Sequence, residues 1–475
     1  MITEIAWKNV WRNKPRSLIV IAAITVGVFA GVFSIAIMNS AIVQRIDASV
    51  NEELAHIQVN NKDFRNSSDI KSIIPDYDEV VSEMMSAPGM KEVSGRIIIR
   101  GIASTSARST GVEISGINVE KERRMLKLAD KIIPGTGTFF ESETRFNRAY
   151  IGEKLAKELN IIRYNLDEEA LSRLREKGVP EKIISGLEPI YGERFTSGRK
   201  LQKAVENLLG EKDYKKFINP VMEAAWSYRE GSRIILTFVD INNIQTGAAF
   251  RISGIFRTNN DMFEETSVFV PEEELRKLTG LKDNDYHRVI GLLEENSFTE
   301  EATSEIREAL SSYEVLNWKE IQPDLAMFAD MMQQIYGLFM AIILAALAFG
   351  IVNTMLMSVL ERTKEIGMLA AIGMNRRRIF IMIMLESIFL SIVGGLSGMA
   401  VGGTVIALTA KKGINLMQYS EGFEAIGYSA HLFPTIDTNF FIITTILIVL
   451  TGILSSMYPA RKALQLNPVE AIRTE

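Results

Sequence analysis

Little in this chain could do covalent or metal chemistry, and the nearest candidates are scattered. It has no cysteine, so a disulfide framework, a thiolate metal site and a thiol nucleophile are all ruled out. That absence fits an oxidising compartment without requiring one. Of the three histidines, His56 lies in a strand-like run, His287 in "NDYHRV" and His431 before a proline turn. A metal site would need them to converge from far apart. "KDNDYH", starting at Lys282, has the texture of a calcium loop but lacks its glycine and closing glutamate, so it reads as a turn. Asp76 and Asp78 in "PDYDE" read as a solvated turn or helix start. No GxxxxGK[ST], HExxH or GxSxG occurs. No catalytic residue, metal or cofactor is therefore expected in this chain. The net charge of −5 does not suggest a nucleic-acid partner.

Two features remain. Glu386 is an acid inside a long apolar run. Such residues are functional hypotheses by default, and helical rise puts this one only about two turns from the cytoplasmic boundary. Pairing with an arginine of the preceding loop is the favoured reading, because a proton relay would need a second intramembrane acid. The other feature is that loop, "ERTKEIGMLAAIGMNRRR" at 361–378, where seven of eighteen residues are charged. Ile366, Leu369, Ala370 and Ile372 suggest an apolar helix face, Glu361, Arg362, Lys364 and Glu365 charge its approach, and Gly373 can end it in a left-handed cap. Arg376, Arg377 and Arg378 are placed to snorkel to headgroups as membrane-surface anchors. Such a helix can rest on the bilayer or fit a groove on a cytoplasmic partner. Periodicity alone leaves both open.

The elements that would position these residues are membrane spans. A span needs about 20 apolar residues, and four runs qualify: 17–39, 335–360, 379–410 and 440–458. The first is too long for a signal-peptide core and follows a helix-like head, so it reads as a retained anchor. Lys8, Arg12, Lys14 and Arg16 precede it; Arg362, Lys364 and Arg376–Arg378 lie between the second and third runs; Arg461, Lys462 and Arg473 follow the fourth. The loop between the third and fourth has only Lys411 and Lys412. The positive-inside rule then puts both termini and 361–378 in the cytoplasm and the large segment outside.

The fold class expected is an α-helical membrane protein with four transmembrane helices and a large α+β extracytoplasmic domain between the first and second. The expected layout is an amphipathic helix at 1–16, spans at 17–43, 335–360, 379–410 and 440–459, the outer domain at 44–334, an external loop at 411–439 and a cytoplasmic tail at 460–475. "HIQVN", "GRIIIRGIAS", "GVEISGI", "SRIILTFVD", "AAFRISGIFRT" and "SVFVP" read as strands. "YIGEKLAKELNI", "PEEELRKLTG" and "FTEEATSEIREALSS" read as helices. Residues 162–230 are charged and helical in pattern and read as a helical insertion, with Trp226 and Tyr228 as core or anchor aromatics. Helical spacing continues outward through Ile42, Ile46 and Val50 and, before the second span, through Leu325, Phe328 and Met332. These extensions are expected to pack as a stalk able to carry rigid-body motion.

"ERTKEIGMLAAIGMNRRRI", the tail "YPARKALQLNPVEAIRTE" and the head "AWKNVWRNKPRS" closely resemble the conserved segments of the FtsX-like permease superfamily of ABC transporters. "YIGEKLAKELNI" followed by "GSRIILTFVD" resembles the periplasmic core of its MacB-like and lipoprotein-releasing (LolC/LolE-type) members, with 162–230 as an insertion. The resemblance implies a permease subunit of the bacterial inner membrane working by mechanotransmission. The segment 361–378, with Glu361, Arg362, Lys364, Glu365, Ile366, Gly367, Leu369 and Gly373, would be its ATPase-coupling helix. MacB proteins carry their ATPase ahead of the amphipathic helix; here that helix stands first, so ATP and magnesium are expected on a separate subunit. The implied partners are two ATPase copies, a second permease subunit (identical or homologous), membrane lipid, and a periplasmic carrier, adaptor or lipoprotein substrate. The expected function is lipoprotein release or other envelope-substrate export. The alternatives are a component of a MacB-like tripartite efflux pump and an FtsX-like, non-transporting regulator of a cell-wall hydrolase.

Overall fold

The computed structural model describes residues 2–140, 146–195, 197–229, 231–419, 422–423, 428–435 and 438–465. Most of the tail motif, with Arg473, lies outside the described residues. The chain divides into a membrane unit (Met1–Arg45, Asp324–Phe423, Tyr428–Glu475) and an outer unit that is mainly Ile46–Pro323.

In the membrane unit the amphipathic helix Ile2–Arg12 precedes four long apolar helices, Lys14–Ala48, Pro323–Glu361, Arg376–Lys412 and Thr438–Leu464. Each is long and apolar enough to span a bilayer. The third is the packing centre. A Cβ on its Gly398 would lie 2.7 Å from the Thr25 carbonyl oxygen of the first helix, and one on Gly394 2.7 Å from Ile24 Cβ. The Thr25 hydroxyl donates to the Gly394 carbonyl at 3.2 Å. Missing side chains let the two backbones approach closely, as membrane helices require when lipid is as apolar as leucine. The second helix leaves Leu338, Ile342 and Phe349 exposed on its surface.

Both helices adjoining the outer unit extend past the apolar runs. The first continues to Ala48 and a π-helical turn, Ser49–Leu54, and the second begins at Pro323. Among the residues expected to form a stalk, Ile42 and Val50 are buried, while Ile46, Leu325 and Met332 are half-buried. Phe328 is exposed, its ring edge on Tyr428 at 6.3 Å.

The outer unit is built on β1 (Ile57–Asn60), β2 (Met90–Ser104), β3 (Ser109–Ile117) and β4 (Arg148–Gly152). The insertion carries β5 (Ile162–Asn165), β6 (Arg194–Phe195) and β7 (Trp226–Tyr228). The main sheet resumes with β8 (Arg233–Val239), β9 (Gln245–Phe256), β10 (Ser267–Pro271), β11 (Arg288–Leu293) and β12 (Glu314–Asn317). Its order is β12-β1-β11-β2-β3-β10-β4-β9-β8, and β8 also pairs with β2. The long β2 makes this possible: its first half pairs with β11, and Ile102–Ser104 pairs with β8. The six strands β2-β3-β10-β4-β9-β8 thus close on themselves, which removes their free edges. β3–β10 and β4–β9 are parallel, so the sheet is mixed.

Two readings need correction. "YIGEKLAKELNI" is not helical throughout. Its first three residues end β4, and the helix is Glu153–Glu158. Tyr150 and Ile151 are fully buried between β10 and β9, where sheet pairing overrides their helical spacing. Nor is the insertion purely helical. β6-β5-β7 form a small sheet, and Leu166, Leu174, Leu201 and Val205 belong to a core of the insertion's own.

Tyr228, where the insertion rejoins the domain, is buried and donates its hydroxyl to Glu153, which also pairs with Arg257 and with Lys157 at 2.9 Å. Burial would raise the Glu153 carboxyl, but the bonds from Arg257, Tyr228 and Lys157 outweigh it and hold it at about 2. Nearby, buried Glu264 accepts from the Thr258 backbone N–H, and its Oε2 has no partner among the described residues. Burial pushes it up to about 7 against the opposing Thr258 bond. Because this folded pKa is raised, its stabilising contribution is full below about 4.5 and is lost as pH rises through 7. Glu264→Gln should therefore cancel a loss on the order of 3 kcal/mol at alkaline pH. The check is the variant-minus-wild-type difference in unfolding free energy, which should grow between pH 5 and 8.

Candidate functional site: a charged cluster at one end of the membrane unit

The segment 361–378 folds as the helix Thr363–Ala371, and Gly373 follows at φ 95°, a left-handed conformation that glycine adopts without strain. Asn375 caps the third long helix, its side chain accepting from the Arg377 backbone N–H. The bond is local, so the loop's length is set by a cap at either end of a single turn.

Around this helix three arginines and three glutamates alternate. Arg16 Nη2 lies 2.6 Å from Glu361 Oε1, and Arg12 Nη2 lies 2.8 Å from Glu365 Oε2. Arg362 donates from Nε to Glu365 at 3.1 Å, and from Nη1 to Glu386 Oε1 and Oε2 at 3.1 and 3.0 Å. Asn9 Nδ2 donates to Glu386 Oε1 at 2.7 Å. Arg362 thus bridges two carboxylates, and Glu386, its side chain only 6% exposed, is satisfied by a charge and an amide. Burial would raise Glu365, but its bonds from Arg12 and Arg362 prevail and hold it below the usual carboxylate range. The outer pairs are too solvated to add much stability, whereas the Arg362–Glu386 pair is buried. A cavity of about 260 Å³ lies among Asn9, Arg12, Arg16, Arg362 and Glu386. Trp7 meets Phe389 edge-on at 5.4 Å, adding an aromatic contact between the amphipathic and third long helices.

The cluster does three mechanical things. It ties the amphipathic helix to the loop helix through Arg12 and Glu365, and the first long helix to the end of the second through Arg16 and Glu361. Arg362, just ahead of the loop helix, links Glu365 of that helix to Glu386 of the third long helix. Glu386 has the arginine partner the sequence suggested. Lys364 is exposed, as are Arg376, Arg377 and Arg378. Asn9 was not foreseen, although its signal is present: Asn9 and Arg12 are spaced by three residues on the face of one helix. The expected single apolar face also divides in two. Ile366 and Gly367 are buried and Leu369 is half-buried, while Met368 and Ile372 point outward, Ile372 being 85% exposed. Ile372 directly follows the helix end at Ala371, its N–H still bonded to the Met368 carbonyl at 3.0 Å, so the two lie one turn apart.

Residues 337–468, which hold the loop helix, most of the second long helix and the last two long helices, match the family model described as FtsX-like permease C-terminal. Over this segment the chain is similar to the FtsX-like permeases. The chain is 35% identical over 164 residues to the macrolide export ATP-binding/permease protein MacB of Bdellovibrio bacteriovorus, covering 34% of this chain and 23% of that protein. It is 30% identical over 166 residues to the uncharacterized ABC transporter permease YknZ of Bacillus subtilis, covering 34% and 37%. It therefore spans well under two thirds of the length of these relatives. Against the crystal structure of the extracellular domain of the noncanonic ABC-type transporter YknZ from Gram-positive bacteria, identity is 14% and the TM-score 0.28, over 55% of this chain and 99% of that one. The chain has four helices long and apolar enough to cross a membrane among the described residues.

Proposed function

We propose that the permease couples ATP hydrolysis on a separate subunit to movement of its outer domain, and that Thr363–Ala371 is the coupling helix. The observation that carries this is a helix with two unlike sides. The inner side is tied by ion pairs to the amphipathic and third long helices, and the outer side offers Met368 and Ile372 to solvent. An exposed apolar tip on a rigid lever suits a groove on a partner. ATP and magnesium would be held by two copies of that ATPase, since this sequence has no phosphate-cradling loop. Closure of the pair would draw two coupling helices together, one from each of two permease subunits. Motion would pass along the continuous helices that leave the membrane. In this reading both ends of the described chain and the loop helix face the cytoplasm of a bacterial inner membrane, and Arg376, Arg377 and Arg378 lie among headgroups.

The cargo class proposed is a lipoprotein or another envelope substrate passed to a periplasmic carrier or adaptor. The macrolide-export MacB relative supports efflux as a second reading. Copurification in mild detergent separates the two by whether lipoproteins or an adaptor come with the permease. Coupling itself is tested by Ile372→Asp, and by Glu365→Ala combined with Gly367→Ala. ATPase association or permease-dependent ATP turnover should fall at least tenfold while the spans stay folded. Full ATP-coupled activity in both variants would overturn the assignment.

A further inference from the structure

On the outer domain, well apart in sequence from the coupling helix, three arginines gather around one carboxylate. Arg65, Arg100 and Arg288 line a pocket of about 80 Å³ together with Glu113, Ser68 and Phe64. Arg100 and Glu113 face each other across β2 and β3. Arg288 comes from β11, with Nε on Asn60 at 3.1 Å and Nη1 3.9 Å from Glu113. Arg65 lies 3.6 Å from Glu314. Neither separation is a hydrogen bond. The Arg100 side chain makes no hydrogen bond or ion pair among the described residues. Arg65 and Arg288 thus stand in loose ion pairs and none of the three donates a hydrogen bond to a carboxylate among the described residues, whereas Arg96, Arg148 and Arg257 of the same domain all do. Burial lowers the Arg288 guanidinium, Glu113 opposes this, and the like charges of Arg96 and Arg65 add to the lowering.

Like charges gathered in a concavity repel and focus a positive field. Three guanidinium groups share a pocket lining that holds one carboxylate, Glu113, which leaves room for a counter-charge from outside. We propose that this pocket is an oxyanion site that takes one phosphate group. Guanidinium forks match phosphate oxygens bidentately. The cavity is well below the roughly 300 Å³ of a drug-sized site, so it suits an ion or a headgroup and not a whole cargo molecule.

The test is equilibrium dialysis of the detergent-purified full chain with labelled inorganic phosphate. Saturable binding of one phosphate per chain is expected, weakened at least tenfold by Arg100→Gln and by Arg288→Gln. Arg100 is exposed, so its variant should melt like wild type and isolate the charge. Glu113→Gln removes the competing carboxylate and should tighten binding severalfold, which a purely structural role would not do. Displacement by glycerol 3-phosphate would point to a headgroup source, and displacement by inorganic phosphate alone to the free ion; either supports the site. Non-saturable binding, or binding unchanged in both arginine variants, would overturn it.

Discussion

Arg362→Met is expected to destabilise the membrane unit by about 3–5 kcal/mol, because it leaves the Glu386 carboxylate buried without a counter-charge. Asn9 would remain as a donor at 2.7 Å, but an amide does not neutralise a carboxylate. Arg362→Met combined with Glu386→Met should recover most of this loss, since the penalty comes from the stranded charge and not from missing attraction. The recovery separates stability from coupling. In the double variant the loop helix has lost its tie to the third long helix, so permease-dependent ATP turnover should stay low although melting is restored. Thermal unfolding in detergent gives the first quantity and ATPase assays the second. The chain has no cysteine, so a single one placed in the loop helix would also report its exposure without background. If Arg362→Met melts like wild type, the pair is not the structural tie described here.

The second large effect is expected at Gly398. Valine there would place Cβ 2.7 Å from the Thr25 carbonyl oxygen and 2.8 Å from Val28 Cβ. A backbone carbonyl within a helix cannot swing aside, so the first and third helices must separate and weaken the Thr25–Gly394 bond. Overpacking of this kind costs about 1–3 kcal/mol, and the rigid neighbour puts Gly398→Val at the upper end. Gly403→Val is the matched control, because its Cβ meets only the Phe441 ring at 3.8 Å. Melting of the two variants side by side should show a loss for the first and little change for the second. Equal melting temperatures would contradict the close approach of these helices.

How legible the molecule was varies with the distance over which each feature is decided. The four spans were readable because apolar length is a local property, and the charge pattern at 361–378 marked an element that is not a plain turn. "SRIILTFVD" and "AAFRISGIFRT" were readable as strands because alternation is local too. Tyr150 and Ile151 were misread because their spacing fits a helix as well as a strand, and only their neighbours β9 and β10 decide between the two.

By itself, then, the sequence determined four apolar spans with a large α+β domain between the first two, an acid needing a partner at Glu386, and a charged, part-apolar helical loop at 361–378. Only the tertiary structure decided which arginine that acid receives and that Asn9 joins it, 377 residues away in the chain. It also decided that β2 closes a barrel on β8, that the insertion owns a small sheet, and that Arg65, Arg100 and Arg288 meet. The physical reason is common to all of these. Periodicity and capping act within a few residues and leave a trace in sequence, whereas ion pairs and strand pairs depend on which distant segments the packing brings within a few ångströms.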